Sequence, residues 1–201
     1  MQIIEIQRKL KQYSKKYFTF SDLEKILGQK RSTLKVTISR LVKKEVLLPI
    51  RKGIYILPEN WSQIEAIISQ IYLLSYLSFD SALARYGILN QIPYVFSYAS
   101  PNLSKSFPLG QYRIEMRKIK KNLFFGYTLQ KDLFIALPEK ALLDQLYLIS
   151  FGKAKLDFDE LNLKELSKTK FLAWSKKFPL RTQKLAQKLS TQFGKISITI
   201  K

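Results

Sequence analysis

The chain has 201 residues, 46% hydrophobic and 13% aromatic, enough to fill one or two packed domains and too apolar to be disordered by composition. Thirty-five Lys and Arg against fifteen Asp and Glu leave a net charge of +20, which favours a polyanionic partner, nucleic acid ahead of an anionic membrane surface. There is no cysteine and no histidine, which excludes disulfides, the usual zinc sites and every mechanism that needs a thiolate or an imidazole.

In chain order, Ile3, Ile4, Ile6, Leu10 and Tyr13 give one apolar face to a first helix over Gln2 to Tyr13, and Tyr17 to Phe20 reads as a short extended piece. Ser21 with Glu24 three residues on predicts a capping box for a second helix, which Gly28 ends. The next helix, Lys30 to Lys44, gathers Leu34, Ile38, Leu41 and Val42 on one side. Its other side carries Ser32, Thr33, Val36, Ser39, Arg40 and Lys43, with Lys35 on the flank, Arg40 expected at the exposed centre and no acid anywhere. Hydroxyls and cations are the groups that meet base edges and phosphates. Leu47 to Leu57 then reads as two short apolar strands around the basic turn Arg51-Lys52-Gly53. Two helices joined by a short Gly-containing turn, the second basic and followed by a basic hairpin, outline a winged helix-turn-helix over residues 1–60. The expected DNA-binding residues are Lys30, Arg31, Ser32, Thr33, Lys35, Val36, Ser39, Arg40 and Lys43 on the helix, with Arg51 and Lys52 on the wing. The plainer alternative is an amphipathic helix with a merely solvated polar face.

Pro58 to Trp61 is the expected boundary, and a division after Asn60 separates 14 basic and 5 acidic residues from 21 and 10. The part from 61 to 201 predicts a strongly apolar helix from Ser62 to about Tyr76, and a short one capped by Asp80 or Ser81 and closed by Gly87. Strands are expected over Ile92–Ala99, Gln111–Ile119, Leu123–Leu129 and Leu133–Leu137. A helix follows with Pro138 in its first turn, then helices over Leu161–Ser167, Lys170–Phe178 and Leu180–Ser190. Ile196 to Ile200 alternates as an edge strand or frayed tail would. The fold class is α+β: a winged helix-turn-helix, then a mixed domain with a small, largely antiparallel sheet and C-terminal helices. No secretory signal is visible, and the most apolar run, Ala66 to Phe79, is interrupted by serines and too short to span a bilayer. A soluble cytoplasmic protein with no membrane partner is expected.

Ser78-Phe79-Asp80-Ser81-Ala82-Leu83-Ala84-Arg85-Tyr86-Gly87 resembles the segment that follows the winged helix in AbiEi-type antitoxins. Leu137-Pro138-Glu139-Lys140-Ala141-Leu142-Leu143-Asp144 is similar to a second segment of that family, and Arg40 to Lys44 and Arg51 to Tyr55 resemble its recognition helix and wing. The resemblance runs in order along most of the chain, as far as Asn162. It implies a bacterial two-domain regulator of a type IV toxin–antitoxin (abortive infection) system. The N-terminal domain would repress its own operon, and the C-terminal domain (61–201) would counteract an AbiEii-like nucleotidyltransferase toxin. Solitary regulators with no toxin are also implied members. The physics of the second segment is plain: Glu139 at a helix N-terminus, Ala141, Leu142 and Leu143 in a core, and Asp144 as the buried partner of a cation.

Asp157-Phe158-Asp159-Glu160 is the one acidic cluster in the sequence, and Asp-x-Asp is how nucleotidyltransferases hold Mg²⁺. The Gly-Ser turn such enzymes place upstream is missing, since Ser150-Phe151-Gly152 runs in the wrong order, so a loop capping the next helix is the better reading. No enzyme activity, cofactor or metal is expected. The partners expected are double-stranded operator DNA, as an inverted repeat, and a toxin, the chain being a monomer or a DNA-assembled dimer. The rival class is a protein-interaction module whose basicity is incidental.

Overall fold

The computed structural model describes residues 2–90 and 94–193, in two compact units that divide between Ile68 and Ser69. The expected strand start at Ile92 and Pro93 and the tail strand at 196–200 lie outside the described residues.

The first unit is built from α1 (Ile3–Lys11), β1 (Phe18–Thr19), α2 (Phe20–Leu27), α3 (Arg31–Lys43), β2 (Leu48–Arg51) and β3 (Ile54–Ile56). Its strands form a three-stranded antiparallel sheet in the order β1-β3-β2. Ile6 and Leu10 of α1, Leu23, Ile26 and Leu27 of α2, and Leu34, Ile38 and Leu41 of α3 share one buried cluster with Phe18, Val46, Leu47 and Leu57. The cap of α2 differs from the expected Ser21–Glu24 pair. Thr19 is the N-cap, its hydroxyl accepting from the Asp22 N–H at 3.1 Å, while the Asp22 carboxylate accepts the Thr19 N–H at 2.8 Å. Thr19 wins because it still belongs to β1, so its extended backbone already has the geometry an N-cap needs. Gly28 closes α2 in the left-handed region, φ 62°. The Pro58–Trp61 stretch, expected as the boundary, lies in a 3-10 turn, Pro58–Gln63, and Asn60 Nδ2 donates to the carbonyls of Lys15 and Lys16 at 3.1 and 2.9 Å. Those bonds hold it to the first unit, and the division falls later, inside α4 (Ile64–Ile71).

The second unit carries β4 (Tyr76–Leu77), α5 (Phe79–Arg85), β5 (Val95–Ser100), β6 (Lys105–Leu109), β7 (Tyr112–Lys118), β8 (Tyr127–Gln130), β9 (Leu133–Ala136), α6 (Pro138–Ser150), α7 (Lys168–Ser175) and α8 (Leu180–Ser190). Its sheet has six strands in the order β6-β7-β5-β4-β9-β8. It is mixed rather than small and largely antiparallel, because β5 runs parallel to β7 and β4 parallel to β9. Both β4 and β6 escape the sequence patterns. Tyr76-Leu77 is a two-residue strand buried on both sides at the end of an apolar run that reads as helix, and β6 contains Pro108, tolerable because β6 is an edge strand. Leu161 to Ser167 is a run of turns instead of a helix. Leu161, Leu163 and Leu166 are all buried, a spacing no single helix face provides, and the Asn162 N–H is committed to the Ile88 carbonyl.

α6 is the axis of this unit, with α5 and α8 packed on it. Pro138 opens it at the first position, and Glu139, 5% exposed, accepts the Ser167 N–H and pairs with Lys170 at 3.0 Å. Lys140 and Asp144, one turn apart and both fully buried, form an ion pair. Asp144 also accepts the hydroxyls of Ser78 at 2.8 Å and Tyr76 at 3.0 Å, and Lys140 donates to the Tyr76 oxygen at 2.8 Å. The Lys140 ammonium lies 5.2–5.4 Å from the ring centres of Tyr76, Phe125 and Phe178. The expected cation partner of Asp144 is therefore Lys140, and both family-like segments meet in this one network. Burial pushes the Asp144 carboxyl up and the Lys140 ammonium down, each offset by the charge of the other. The Lys140 stem passes close to Gly126, where a Cβ would stand 3.2 Å from Lys140 Cγ and 3.0 Å from the Trp174 ring.

Burial alone would raise the Asp22 carboxyl, but Lys15 and the Thr19 N–H and hydroxyl lower it from 3.8 to about 2. Its stabilisation is thus full above the ordinary carboxylate pKa and is lost as pH falls through the folded value. Asp22→Ala should cost ~1–2 kcal/mol at neutral pH in urea unfolding, and the gap to the parent chain should close between about pH 4 and pH 2. Lys140→Met should cost about 3–5 kcal/mol by leaving a buried carboxylate unpaired. Lys140→Met with Asp144→Leu should recover much of that but not all, because the Tyr76 and Ser78 hydroxyls lose their acceptor.

Candidate nucleic-acid interface

On α3 the burial follows the wheel. Leu34, Ile38 and Leu41 are buried and Val42 is half-buried, while Arg31, Ser32, Thr33, Lys35, Val36, Ser39, Arg40 and Lys43 are exposed. Steps of about 100° per residue place Ser32, Val36 and Lys43 opposite the core, so Val36, 52% exposed, holds the centre of the outer face. Arg40 sits to one side of it. It borders a cleft of about 400 Å³ with Gln2, Ile3, Ile4 and Ile6 of α1, so it marks the α1 flank and not the expected exposed centre. Within that cleft the Thr37 hydroxyl donates to Gln29 Oε1 at 2.8 Å, fixing the turn before α3 to the helix.

The N-terminus of α3 is unusual electrostatically. Lys30 is the N-cap residue without a side-chain cap, Arg31 is the first helical residue, and the first turn holds no acid. Cations at the positive end of a helix dipole are unfavourable by themselves, and N–H groups at a helix start can donate to an anion. Lys30 is itself exposed.

The basic turn falls where the hairpin was expected: Arg51 ends β2, Lys52 and Gly53 make the turn, and both cations are exposed. Gly53 adopts φ 78°, a conformation that suits glycine. Phe20 connects this turn to α3. Its N–H donates to the Gly53 carbonyl at 2.8 Å, and the Arg31 guanidinium lies 5.4 Å from its ring centre. The start of α3 and the tip of the hairpin are thereby brought to the same side of the unit. In the sequence Phe20 reads only as part of an extended piece; its aromatic ring between a β-strand and a capped helix start is the signal it offers.

The acidic run Asp157–Glu160 caps no helix. The Asp159 N–H donates to Asp157 Oδ1 at 3.0 Å within a turn, and the next helix, α7, is capped by Ser167. Among the described residues no helix is long and apolar enough to cross a membrane.

No protein-family model and no curated protein sequence matches the chain. Its fold is similar to that in the crystal structure of the RV2827C protein from Mycobacterium tuberculosis, with a TM-score of 0.66 at 15% identity over 96% of this chain and 75% of that one.

Proposed function

We propose that residues 1–60 form a winged helix-turn-helix that binds double-stranded operator DNA, with α3 in the major groove and the β2–β3 turn as the wing. The observation that carries this reading is that α3, a helix without an acidic residue, and the basic turn at Lys52-Gly53 both meet Phe20. In this reading Ser32 and Ser39 meet base edges, Val36 meets a thymine methyl, and Lys30, Arg31, Thr33, Lys35 and Lys43 hold phosphates at the groove walls. Arg40, on the α1 flank, reads a guanine at the edge of the footprint. The chain acts in the cytoplasm as an autorepressor, as a monomer or a dimer assembled on an inverted repeat, without enzymatic activity.

Residues 61–201 are proposed as an antitoxin domain directed against an AbiEii-like nucleotidyltransferase toxin. The support is the resemblance of two segments, Ser78–Gly87 and Leu137–Asp144, which fold into one buried network. Without such a toxin the chain is a solitary regulator.

Fluorescence anisotropy of the full chain on its own upstream DNA, across a salt series, tests the first half. Affinity should fall steeply on a log–log plot, and Arg51→Ala with Lys52→Ala should flatten the slope by about 2 units at most. No binding at low salt would refute the regulator and favour a protein-interaction module. Arg40→Ala should cost ~1–3 kcal/mol and relax preference at one base pair; an equal loss on every sequence would make it a phosphate contact. For the second half, residues from about Ser62 onward, co-expressed with a neighbouring toxin gene, should protect cells without repressing an operon reporter. Protection by residues 1–60 alone would overturn that division.

A further inference from the structure

A strand at the edge of a sheet presents unpaired N–H and C=O groups, and proteins blunt such edges with proline, lysine, a bulge or brevity. Among the described residues, three of the four sheet edges are blunted in this way. β1 is two residues long, β2 carries Pro49 and Arg51 with an irregular register between them, and β6 carries Lys105 and Pro108. β8, Tyr127-Thr128-Leu129-Gln130, has no proline, no lysine and an unbroken register, and it pairs with β9 alone. It bears no charge in a chain of net charge +20. Leu129 is 55% exposed, and Phe134, its cross-strand neighbour, 36%.

The turn after β8 fixes which groups face outward. Lys131 and Asp132 both have positive φ, 46° and 67°, the backbone of a two-residue hairpin turn. Such a turn is closed by a hydrogen-bonded pair, here Gln130 and Leu133. Thr128 and Gln130 therefore turn their backbone groups toward β9. Tyr127 and Leu129 turn theirs to the open side, where they have no backbone partner among the described residues. The side chains alternate as well: Tyr127 and Leu129 share the face of Phe134 and Ala136, and Thr128 and Gln130 lie on the other.

We propose that β8 pairs antiparallel with β8 of a second copy of this chain, about a two-fold axis at Thr128. A strand added here must keep apolar side chains on the Leu129 face and present backbone groups to Tyr127 and Leu129. β8 itself meets both demands. With Thr128 opposite Thr128, each Leu129 stands opposite the other copy's Tyr127, and the outward N–H and carbonyl groups of both residues are satisfied in both copies. Leu129 is then enclosed between Phe134 of its own sheet and the second copy's Tyr127. A shift of one residue sets apolar side chains against the polar face, and a larger one carries Tyr127 or Leu129 past the end of the strand. Two chains of this charge repel, and an uncharged strand whose turn holds one Lys and one Asp is where they approach at least cost. One short strand per copy is a small contact, so the association is weak. It supplies a pairing surface for the operator-bound dimer, yet it needs no DNA, so its failure would leave the DNA-binding reading standing.

Sedimentation velocity of the full chain without DNA, over about a hundredfold range of concentration and at ~0.3 M salt to screen the positive charge, tests it. The chain should pass from monomer to dimer and stop there, since a two-fold contact closes on itself. Leu129→Lys should weaken the association by about tenfold or more. Leu180→Lys, at a leucine 73% exposed outside the sheet, should leave it unchanged. Amide hydrogen exchange reads the register: Tyr127 and Leu129 should gain protection as the dimer forms, while Thr128 and Gln130 are protected by β9 in either state. Should Leu129→Lys fail to fold, the exchange measurement on the unaltered chain carries the test. A monomer throughout, association indifferent to Leu129→Lys, or growth beyond the dimer would each overturn the pairing. So would Tyr127 and Leu129 amides already protected in the monomer, the mark of an edge covered from within the same chain.

Discussion

A carboxylate and an ammonium that are both taken out of water must satisfy each other, and the second unit is arranged so that Asp144 and Lys140 do. The pair sits one turn apart on α6, so the helix alone brings the charges together. What the helix cannot supply is the rest of the carboxylate's hydrogen bonding. That comes from Tyr76 and Ser78, at and just after β4, and from nowhere else in the sheet. The two-residue strand at the middle of the sheet is therefore fixed to the central helix by polar bonds as well as by packing. Gly126 and the rings of Phe125 and Phe178 then close over the lysine. Such a network contributes more to uniqueness than to net stability, because any shift of α6 along β4 strands a charge.

The first unit solves a different problem with a neutral hinge point. Phe20 is the first residue of α2, part of its ring packs on the core, its N–H reaches the hairpin tip and its face meets Arg31. One residue, by its backbone N–H on one side and its ring on the other, thus links helix and turn, the two parts that carry exposed cations. The capping residues on either side, Thr19 and Asp22, keep the start of α2 from fraying and so hold Phe20 in place.

Long amphipathic periods were legible in the sequence. The buried stripe of α3, Pro138 at the start of α6, the span of α8 and the turn at Lys52-Gly53 all stand where side-chain spacing puts them. Short elements were not. Tyr76-Leu77 continues an apolar run and shows no alternation, because a central strand is buried on both faces. Leu161 to Ser167 reads as a helix by residue type, yet its three leucines follow no helical period and are buried without one. At the interface the residue types and their angular order were both readable, but not which element lies beside the helix: α1 borders the side that carries Arg40.

The pairing of β4 has a consequence for the order of events in folding. Tyr76 and Ser78 meet Asp144 across 68 and 66 residues of chain, and Leu77 pairs in parallel with Ile135, so β4 is complete on both edges and in its polar contacts only after β9 and α6 are made. The first unit closes over much shorter loops. During synthesis it completes its core while β4, which has β5 for one edge, waits for β9 on the other and for α6 to meet its polar side chains. The apolar stretch around Tyr76 is thus the part of the chain most in need of shielding before the second unit closes.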